Sequence, residues 1–524
     1  MKKFVVLFTL ISCVAQAQLS RVYFTDKGAN AEMLSNPYLF LSSKAIDNKE
    51  KRNVAIDLRD VPVSKSYIQN LVDLDLEVKM TSRWFNYALV DGEDVFQKVK
   101  DLPFVKRVET PNQYKVSFAE MPEASQAKNL TYGIADNQIE MVEGEYLHDL
   151  NYRGAGMTIA VIDGGFQGTN TLTGLDSLRQ QNRILGTYNF VHNDTDIYKD
   201  GSHGTSVLSI LAGYIDSAYA GSAIDANYWL LKSENESDEN ISEMDNWLAA
   251  AEFADSVGVD IITSSLGYNN FVGGVGDFAY SDMDGNTVLV TKAADMAAAK
   301  GILVVVSAGN EGNSGWQYIT APADGDSVMA VGGVDASGAY VSFSSTGPTA
   351  DGRVKPDVVA VAGGTAFISP AGPTYGNGTS FSCPIISGMA ACFWQQNPSL
   401  SNMELYEAII ASCSQPFTPD NAIGFGIPNF RIASWEVGVE ELEIATHINV
   451  FPNPIGDEFE VESEDFVIQR NIEISILDIN GKPVYEHEVE GGNSKLKIQT
   501  SLPEGMYLLN IQYGGKSHLR KIIK

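Results

Sequence analysis

Short runs of almost uninterrupted aliphatic residues, each ending on a polar residue or a glycine, set the tightest limit on how this chain can fold. Thr158–Ile162 runs into Asp163, Asp260–Thr263 into Ser264-Ser265-Leu266-Gly267, and Ile302–Val306 into Ser307-Ala308-Gly309-Asn310. Alternate side chains of a strand point in opposite directions, so a run that is apolar throughout needs cover on both faces. Helical patterns lie between the runs, such as Thr287–Lys300, which Gly301 stops. The combination predicts an α/β fold over 132–434, a parallel sheet with helices on both faces. Ligands of such sheets sit beyond the carboxyl ends of the strands, where Asp163, Gly267 and Asn310 fall.

The chain of 524 residues is too long for one ordinary domain and predicts about two to four. Residues 1–17 read as a secretory signal: Met1-Lys2-Lys3, an apolar run from Phe4 to Val14, and Ala15-Gln16-Ala17 before the cut. Leu10-Ile11-Ser12-Cys13 offers a rival reading, a lipid-attachment box on Cys13. No other apolar run is long enough for a transmembrane segment. Residues 18–118 alternate short strands (Arg21–Phe24, Glu77–Ser82, Tyr87–Val90, Val105–Glu109) with helices at Ser64–Val72 and Asp94–Lys100, the latter with Val95, Phe96 and Val99 on one face. This predicts a small α+β domain, followed by a polar linker at 119–131. After an acidic linker at 435–445, residues 446–524 predict a small β-sandwich, with Ile472, Ile474 and Ile476 alternating and Asn480-Gly481 as a hairpin turn.

Asp and Glu outnumber Lys and Arg by 66 to 36, a formal charge of −30, which repels phosphate backbones and argues against a nucleic-acid partner. Past the signal stand Cys383, Cys392 and Cys413, an odd number for an oxidising compartment. Cys383 and Cys392 fall on opposite faces of a helix, so an intramolecular bridge would join Cys392 to Cys413. The competing reading is three small buried residues.

Three strings carry the chemistry: Ala160-Val161-Ile162-Asp163-Gly164, Gly201-Ser202-His203-Gly204-Thr205 and Gly378-Thr379-Ser380-Phe381-Ser382-Cys383-Pro384. A serine hydroxyl is a weak nucleophile unless a base takes its proton and a carboxylate orients that base. Ser380 opens an apolar helix (Ile385, Ile386, Met389, Ala390, Phe393), where free N–H groups and the helix dipole favour developing negative charge. Pro384 lies in about the first turn, where a missing N–H does little damage. His203 opens a second helix (Val207, Leu208, Ile210, Leu211) and Asp163 ends a buried strand.

In order and setting, these strings resemble the subtilases, over about Tyr132 to Ser434 and including Phe343-Ser344-Ser345-Thr346-Gly347 and Lys355-Pro356-Asp357-Val358. The resemblance implies a serine endopeptidase with Ser380 as nucleophile, His203 as base and then acid, Asp163 as orienting carboxylate, and Asn310 with the Ser380 N–H as oxyanion hole. Protein or peptide substrates would bind as an added strand along Ser265-Leu266-Gly267, with Ser307-Ala308-Gly309 walling the pocket for the residue before the cut. Thr320 stands where many relatives have glycine; on the pocket floor it would disfavour large side chains. Phe381-Ser382-Cys383 departs from the common Met and Ala and would crowd the helix start. No cofactor is implied; many subtilases bind calcium, but Asp282-Met283-Asp284-Gly285-Asn286 lacks the rest of a ligand set and reads as a solvated turn.

Residues 18–118 resemble the inhibitory propeptide of subtilases, the chain's own prodomain and partner, with an unrelated accessory domain as the alternative. With Pro452-Asn453-Pro454, Asp478-Ile479-Asn480-Gly481-Lys482, Gly505-Met506-Tyr507 and the basic end Lys521 to Lys524, residues 446–524 resemble the sorting domain of the Bacteroidetes type IX secretion machinery. That implies a secreted or cell-surface product; the alternative is a carbohydrate- or protein-binding sandwich. For the whole chain the competing reading is an inactive subtilase-fold binding protein at the cell surface.

Overall fold

The computed structural model describes residues 19–110, 132–235, 242–269, 278–434, 449–452, 455–463, 466–467, 471–477, 483–490, 492–503, 505–513 and 516–524. The predicted signal, the 119–131 and 435–445 linkers and the Asn480-Gly481 turn lie outside the described residues. Two compact units, Met1–Pro428 and Asn429–Lys524, divide the chain.

The first unit begins with a four-stranded antiparallel sheet made of β1 (Ser20–Phe24), β2 (Glu77–Ser82), β3 (Tyr87–Asp91) and β4 (Val105–Glu109), in the order β2-β3-β1-β4. Helix α1 (Ser43–Lys51) has no apolar stripe to announce it. It is started by the Ser42 side chain, which accepts from Ala45 N, and it buries Ala45 and Lys49. Helices α2 (Lys65–Val72) and α3 (Val95–Val99) bring Leu71, Val95 and Val99 to Val22, Phe24, Ala88 and Val90, which closes a small core. Phe96 corrects the predicted stripe: it is 56% exposed, and only the i, i+4 pair Val95 and Val99 faces inward.

The eight-stranded central sheet has the order β14-β13-β12-β11-β10-β5-β9-β6. Its strands are β5 (Thr158–Asp163), β6 (Ile184–Asn189), β9 (Asn227–Lys232), β10 (Ile261–Ser264), β11 (Leu303–Ser307), β12 (Val328–Asp335), β13 (Val358–Ser369) and β14 (Gly372–Asn377). A minor two-stranded sheet takes β7 (Tyr214–Ile215) and β8 (Tyr219–Ala220). All central pairings are parallel except β13 with β14. Every residue of β5, β10 and β11 is buried, as runs apolar on both faces require. Short helices α4 (Asp136–Glu140) and α5 (Gly144–Asp149) precede β5, and α6 (Asp176–Gln180) follows it. Helices α7 (His203–Ala212) and α10 (Thr379–Gln396) pack on one another and on the sheet; α8 (Ser242–Val257) and α9 (Leu289–Ala299) form a second packed pair. Ala160, Ile162, Val304 and Val306 share a core with the α8–α9 pair, so the alternating Ile159, Val161, Val305 and Leu303 turn to the other face.

The second unit is a sandwich. Antiparallel strands β15 (Asn449–Phe451), β16 (Glu458–Glu462) and β19 (Lys495–Gln499) face β17 (Asn471–Leu477), β18 (Pro483–Glu490), β20 (Met506–Tyr513) and β21 (Lys516–Ile523). One core spans both sheets: Phe459, Val461 and Ile498 from the first meet Ile472, Ile474, Ile476 and Ile511 from the second. Among the described residues no helix is long and apolar enough to cross a membrane.

Candidate active site

Adjacent strands β5 and β10 set the frame. Their ladder pairs Ile162 with Ser264, so the next residues, Asp163 and Ser265, stand level where the strands end. The Asp163 carboxylate is wholly buried; its Oδ1 accepts from Gly164 N and from His203 Nδ1, both at 2.8 Å. That bond fixes the imidazole, whose side chain is 39% exposed and reaches the open side of the site. His203 is the first residue of α7, and Gly204 N donates to Gly165 O at 2.9 Å, which docks the helix start on the strand end. The approach demands glycine: a β-carbon on Gly165 would lie 2.1 Å from Asp200 O.

Ser380 is the second residue of α10 and half-buried. Its Oγ donates to Ser265 O at 3.5 Å, a long bond, and Ser265 Oγ donates to the Ser380 carbonyl at 2.9 Å. The second bond has a local cause that revises the expectation for Pro384. Pro384 is the sixth helical residue, and the N–H it lacks is the one that would pair with the Ser380 carbonyl four residues back. The Ser265 hydroxyl fills the place. Pro384 thus frees one bond of the helix, and a side chain from the adjoining strand end takes it and ties the serine to β10.

Asn310 follows β11, the strand next to β10, and is exposed. Its Oδ1 accepts from Thr379 N at 2.9 Å and from Thr379 Oγ1 at 3.1 Å, which leaves both donors of its amide without a partner among the described residues. The residue before Ser380 therefore anchors it. Ser265, Leu266, Ser307 and Ala308 are buried, whereas Gly267 is exposed and Gly309 half-buried, so the two segments reach the surface at their glycines. Phe381 crowds the start of α10 as expected, yet without conflict: it is 7% exposed and stacks on Phe367 at 5.0 Å.

Cys383, Cys392 and Cys413 are free and buried, which rules out the Cys392–Cys413 bridge. Cys383 Sγ packs 3.5 Å from Val305 O beneath the serine, and burial pushes its thiol up to about 11. Asp284, in the acidic loop, turns its carboxylate on its own turn, accepting from Asn286 N and Thr287 N at 2.8 and 2.7 Å. Among the described residues no group of three or more His, Cys, Asp or Glu side chains is placed to hold a metal.

Two features escaped the sequence reading. The first is the Ser265 hydroxyl, which stands in for the N–H that Pro384 lacks. The second is Glu234, two residues beyond β9, which is buried and takes a hydrogen bond from the Tyr268 hydroxyl; burial, with the Asp163 charge adding to it, raises its carboxyl above the usual range. Its setting in Ser233-Glu234-Asn235-Glu236 reads as a solvated loop, and the only signal is its place just past an apolar strand.

The chain matches the family model of the subtilase family over residues 154–426, that of the Peptidase S8 propeptide domain, Bacteroidota, over 20–129, and that of the secretion system C-terminal sorting domain over 449–524. Among curated proteins, Subtilisin E of Bacillus subtilis strain 168 is 31% identical over 289 residues, which span 54% of this chain and 66% of that protein. Subtilisin of Bacillus pumilus is 30% identical over 289 residues, spanning 54% and 91%. Serine protease AprX of Bacillus subtilis strain 168 is 32% identical over 288 residues, spanning 49% and 61%.

Proposed function

This chain belongs to the subtilase family, and from that premise we propose that it is a secreted serine endopeptidase, made as a zymogen that processes itself. The observation that carries the proposal is the buried Asp163 carboxylate bonded to the Nδ1 of a half-exposed imidazole at the mouth of the sheet.

In this reading His203 Nε2 takes the Ser380 proton as Oγ attacks the substrate carbonyl. The bond formed is an ester to Ser380; the bond broken is the peptide C–N, and the proton passes from His203 to the departing amine. Water then repeats the sequence and releases the acid. Asp163 holds the tautomer with its proton on Nδ1 and stabilises the imidazolium. The Asn310 amide and the Ser380 N–H stabilise the oxyanion, and the substrate lies as a strand along Ser265-Leu266-Gly267. Residues 18–118 act as propeptide, with the cut between about Ala119 and Thr131, and residues 446–524 address the product to the type IX machinery for release or surface display.

The test is Ser380→Ala in the full chain. It is expected to lower peptidase activity by about 10⁴-fold or more, to abolish labelling by a fluorophosphonate, and to leave the N-terminal region attached. Labelling or self-cleavage that persists in the variant refutes the assignment.

A further inference from the structure

Glu234 is a buried carboxyl beside Asp163 to which the proposed hydrolysis gives no part, and the role assigned to it rests on that hydrolysis. Strand β9 runs along β5 with Lys232 level with Asp163, and Ser233 N donates to Asp163 O at 3.1 Å. The next residue is Glu234. It accepts from the Ser233 hydroxyl at 2.9 Å, from the Tyr268 hydroxyl and from the Glu243 side chain. The three donors come from three places: Ser233 directly follows β9, Tyr268 lies past β10, and Glu243 stands in the first turn of α8.

Tyr268 directly follows Gly267, so it ends the segment Ser265-Leu266-Gly267 along which the proposed substrate lies. Its backbone exchanges bonds with Ala321 at 2.8 and 3.1 Å, and its hydroxyl is held by Glu234. Helix α8 reaches the start of the same segment, where Trp247 Nε1 donates to Ser264 Oγ at 2.9 Å. Glu234 thus joins the end of the substrate segment to the strand that runs beside Asp163.

Glu234 and Glu243 are 3% and 2% exposed, and a hydrogen bond between two carboxyl groups exists only while a proton is held between them. Glu243 Oε1 also accepts from Asn235 N at 2.8 Å, which fixes the second carboxyl. Among the described residues, the charged and titratable groups that the surrounding elements carry next to the pair are Asp163 on β5, Lys232 at the end of β9, Tyr268 past β10 and Asp245 on α8. Burial raises the Glu234 carboxyl above its usual range, and the Asp163 charge adds to it. The closed arrangement holds a proton that an open, solvated one releases, so rising pH favours the open one.

We propose that Glu234 is a positioning residue for the hydrolysis: through Tyr268 it holds Ser265-Leu266-Gly267 in place beside Asp163, and the proton it shares with Glu243 makes that hold fail in alkali. Once the proton is lost, two carboxylates at hydrogen-bond distance repel one another in a site with little water, and Tyr268 loses its fixed acceptor.

The experiment takes enzyme matured from the full chain and follows kcat and KM for one quenched peptide from neutral pH into alkali. In the wild type KM is expected to rise about 10-fold on the alkaline side while kcat holds. Glu243→Gln puts an amide in place of the carboxyl; it donates to Glu234 without a proton to lose, and should hold KM level over the whole range. Glu234→Ala should raise KM about 10-fold at every pH. A wild-type KM that stays level in alkali overturns the proposal, and so does a Glu243→Gln profile that rises with that of the wild type; this second variant carries the test if Glu234→Ala does not fold. Fluorophosphonate labelling of Ser380 at neutral pH reads the underlying activity separately: an enzyme that labels but keeps a level KM refutes the hold alone, and a chain that does not label refutes both.

Discussion

Helices α8 and α10 are both enclosed by the rest of the first unit, and they are buried in opposite ways. Every enclosed residue of α10, from Phe381 through Trp394, is uncharged. Enclosed on α8 are Glu243, Asp245, Glu252 and Asp255 beside Trp247 and Leu248. The N-terminal region supplies most of their partners. Arg21 forks on Asp245 at 2.8 and 2.6 Å, where the Tyr87 hydroxyl also donates. Lys49 and Arg83 meet on Asp255 at 2.6 and 2.7 Å, and Glu252 accepts from Ser82 Oγ, Arg83 N and Trp84 N at 2.6, 2.9 and 3.1 Å. Burial does not demand an apolar helix; it demands that the cover satisfy what it hides. The cover of α10 is the sheet and stays. That of α8 is the segment that the proposed maturation cuts away, and carboxylates can meet water afterwards, whereas apolar surface would lose about 25 cal/mol per Å².

The hardest test of this contrast breaks one charge. In the Ser380→Ala full chain, Asp245→Ala takes the forked partner from the buried Arg21 guanidinium, which keeps only the half-exposed Glu109 at 3.1 Å, and is expected to destabilise the assembly by about 3 kcal/mol, read from urea unfolding. The combined replacement Arg21→Met, Tyr87→Phe and Asp245→Leu removes the whole group and should restore most of that loss. If the single and the combined variants are equally unstable, α8 is held by shape and not by matched charge.

A second test uses acid on the dry side. His148 is packed against Cys392 of α10, its Nδ1 bonded to the Tyr132 hydroxyl at 2.9 Å and its Nε2 to Ser222 O at 3.0 Å. Burial pushes its imidazole down to about 4. Between that value and its unfolded 6.5 the folded state binds fewer protons than the unfolded one. Its contribution is therefore complete above about pH 6.5 and is lost as pH falls toward about 4, about 3 kcal/mol in all, with a slope of at most about 1.4 kcal/mol per pH unit. His148→Gln should flatten that part of the urea-midpoint profile; an unaltered profile would show that the histidine charges at no cost.

The smallest effect is one of reactivity. Burial raises the thiols of Cys392 and Cys413 as well as that of Cys383, and all three should stay silent to a thiol reagent in the native protein and react together on unfolding. Fast native labelling of Cys383 or Cys392 would mean that α10 opens.

What could be read in the sequence follows the same division. The apolar runs at Thr158–Asp163 and Leu303–Ser307 announce the sheet because burial on both faces leaves one composition to choose from, and the glycine-flanked Asp163, His203 and Ser380 fall where those strands and helices begin or end. The propeptide-like docking surface was illegible. Asp245, Glu252 and Asp255 look like a solvated helix face until Arg21, Lys49 and Arg83, far off in sequence, are laid on them. Helix α1 was lost for the same reason, since what it buries includes a lysine. Ser265 as a substitute for the Pro384 N–H is a contact across a gap of over a hundred residues, which no local spacing reveals.

Asp260 ties the N-terminal region to the central sheet. Its carboxylate binds Thr158 N at 2.8 Å, Lys44 Nζ at 2.9 Å, Asn48 Nδ2 at 3.1 Å and the Arg52 guanidinium, which also lies 4.3 Å over the Trp394 ring. Asp260 immediately precedes β10 and Thr158 opens β5, so this clasp grips the two central strands at the end remote from Ser380. Parallel neighbours separated by so long a crossover are slow to find each other. On the proposed maturation this clasp leaves with its segment, and the two strands then have to keep their register without it.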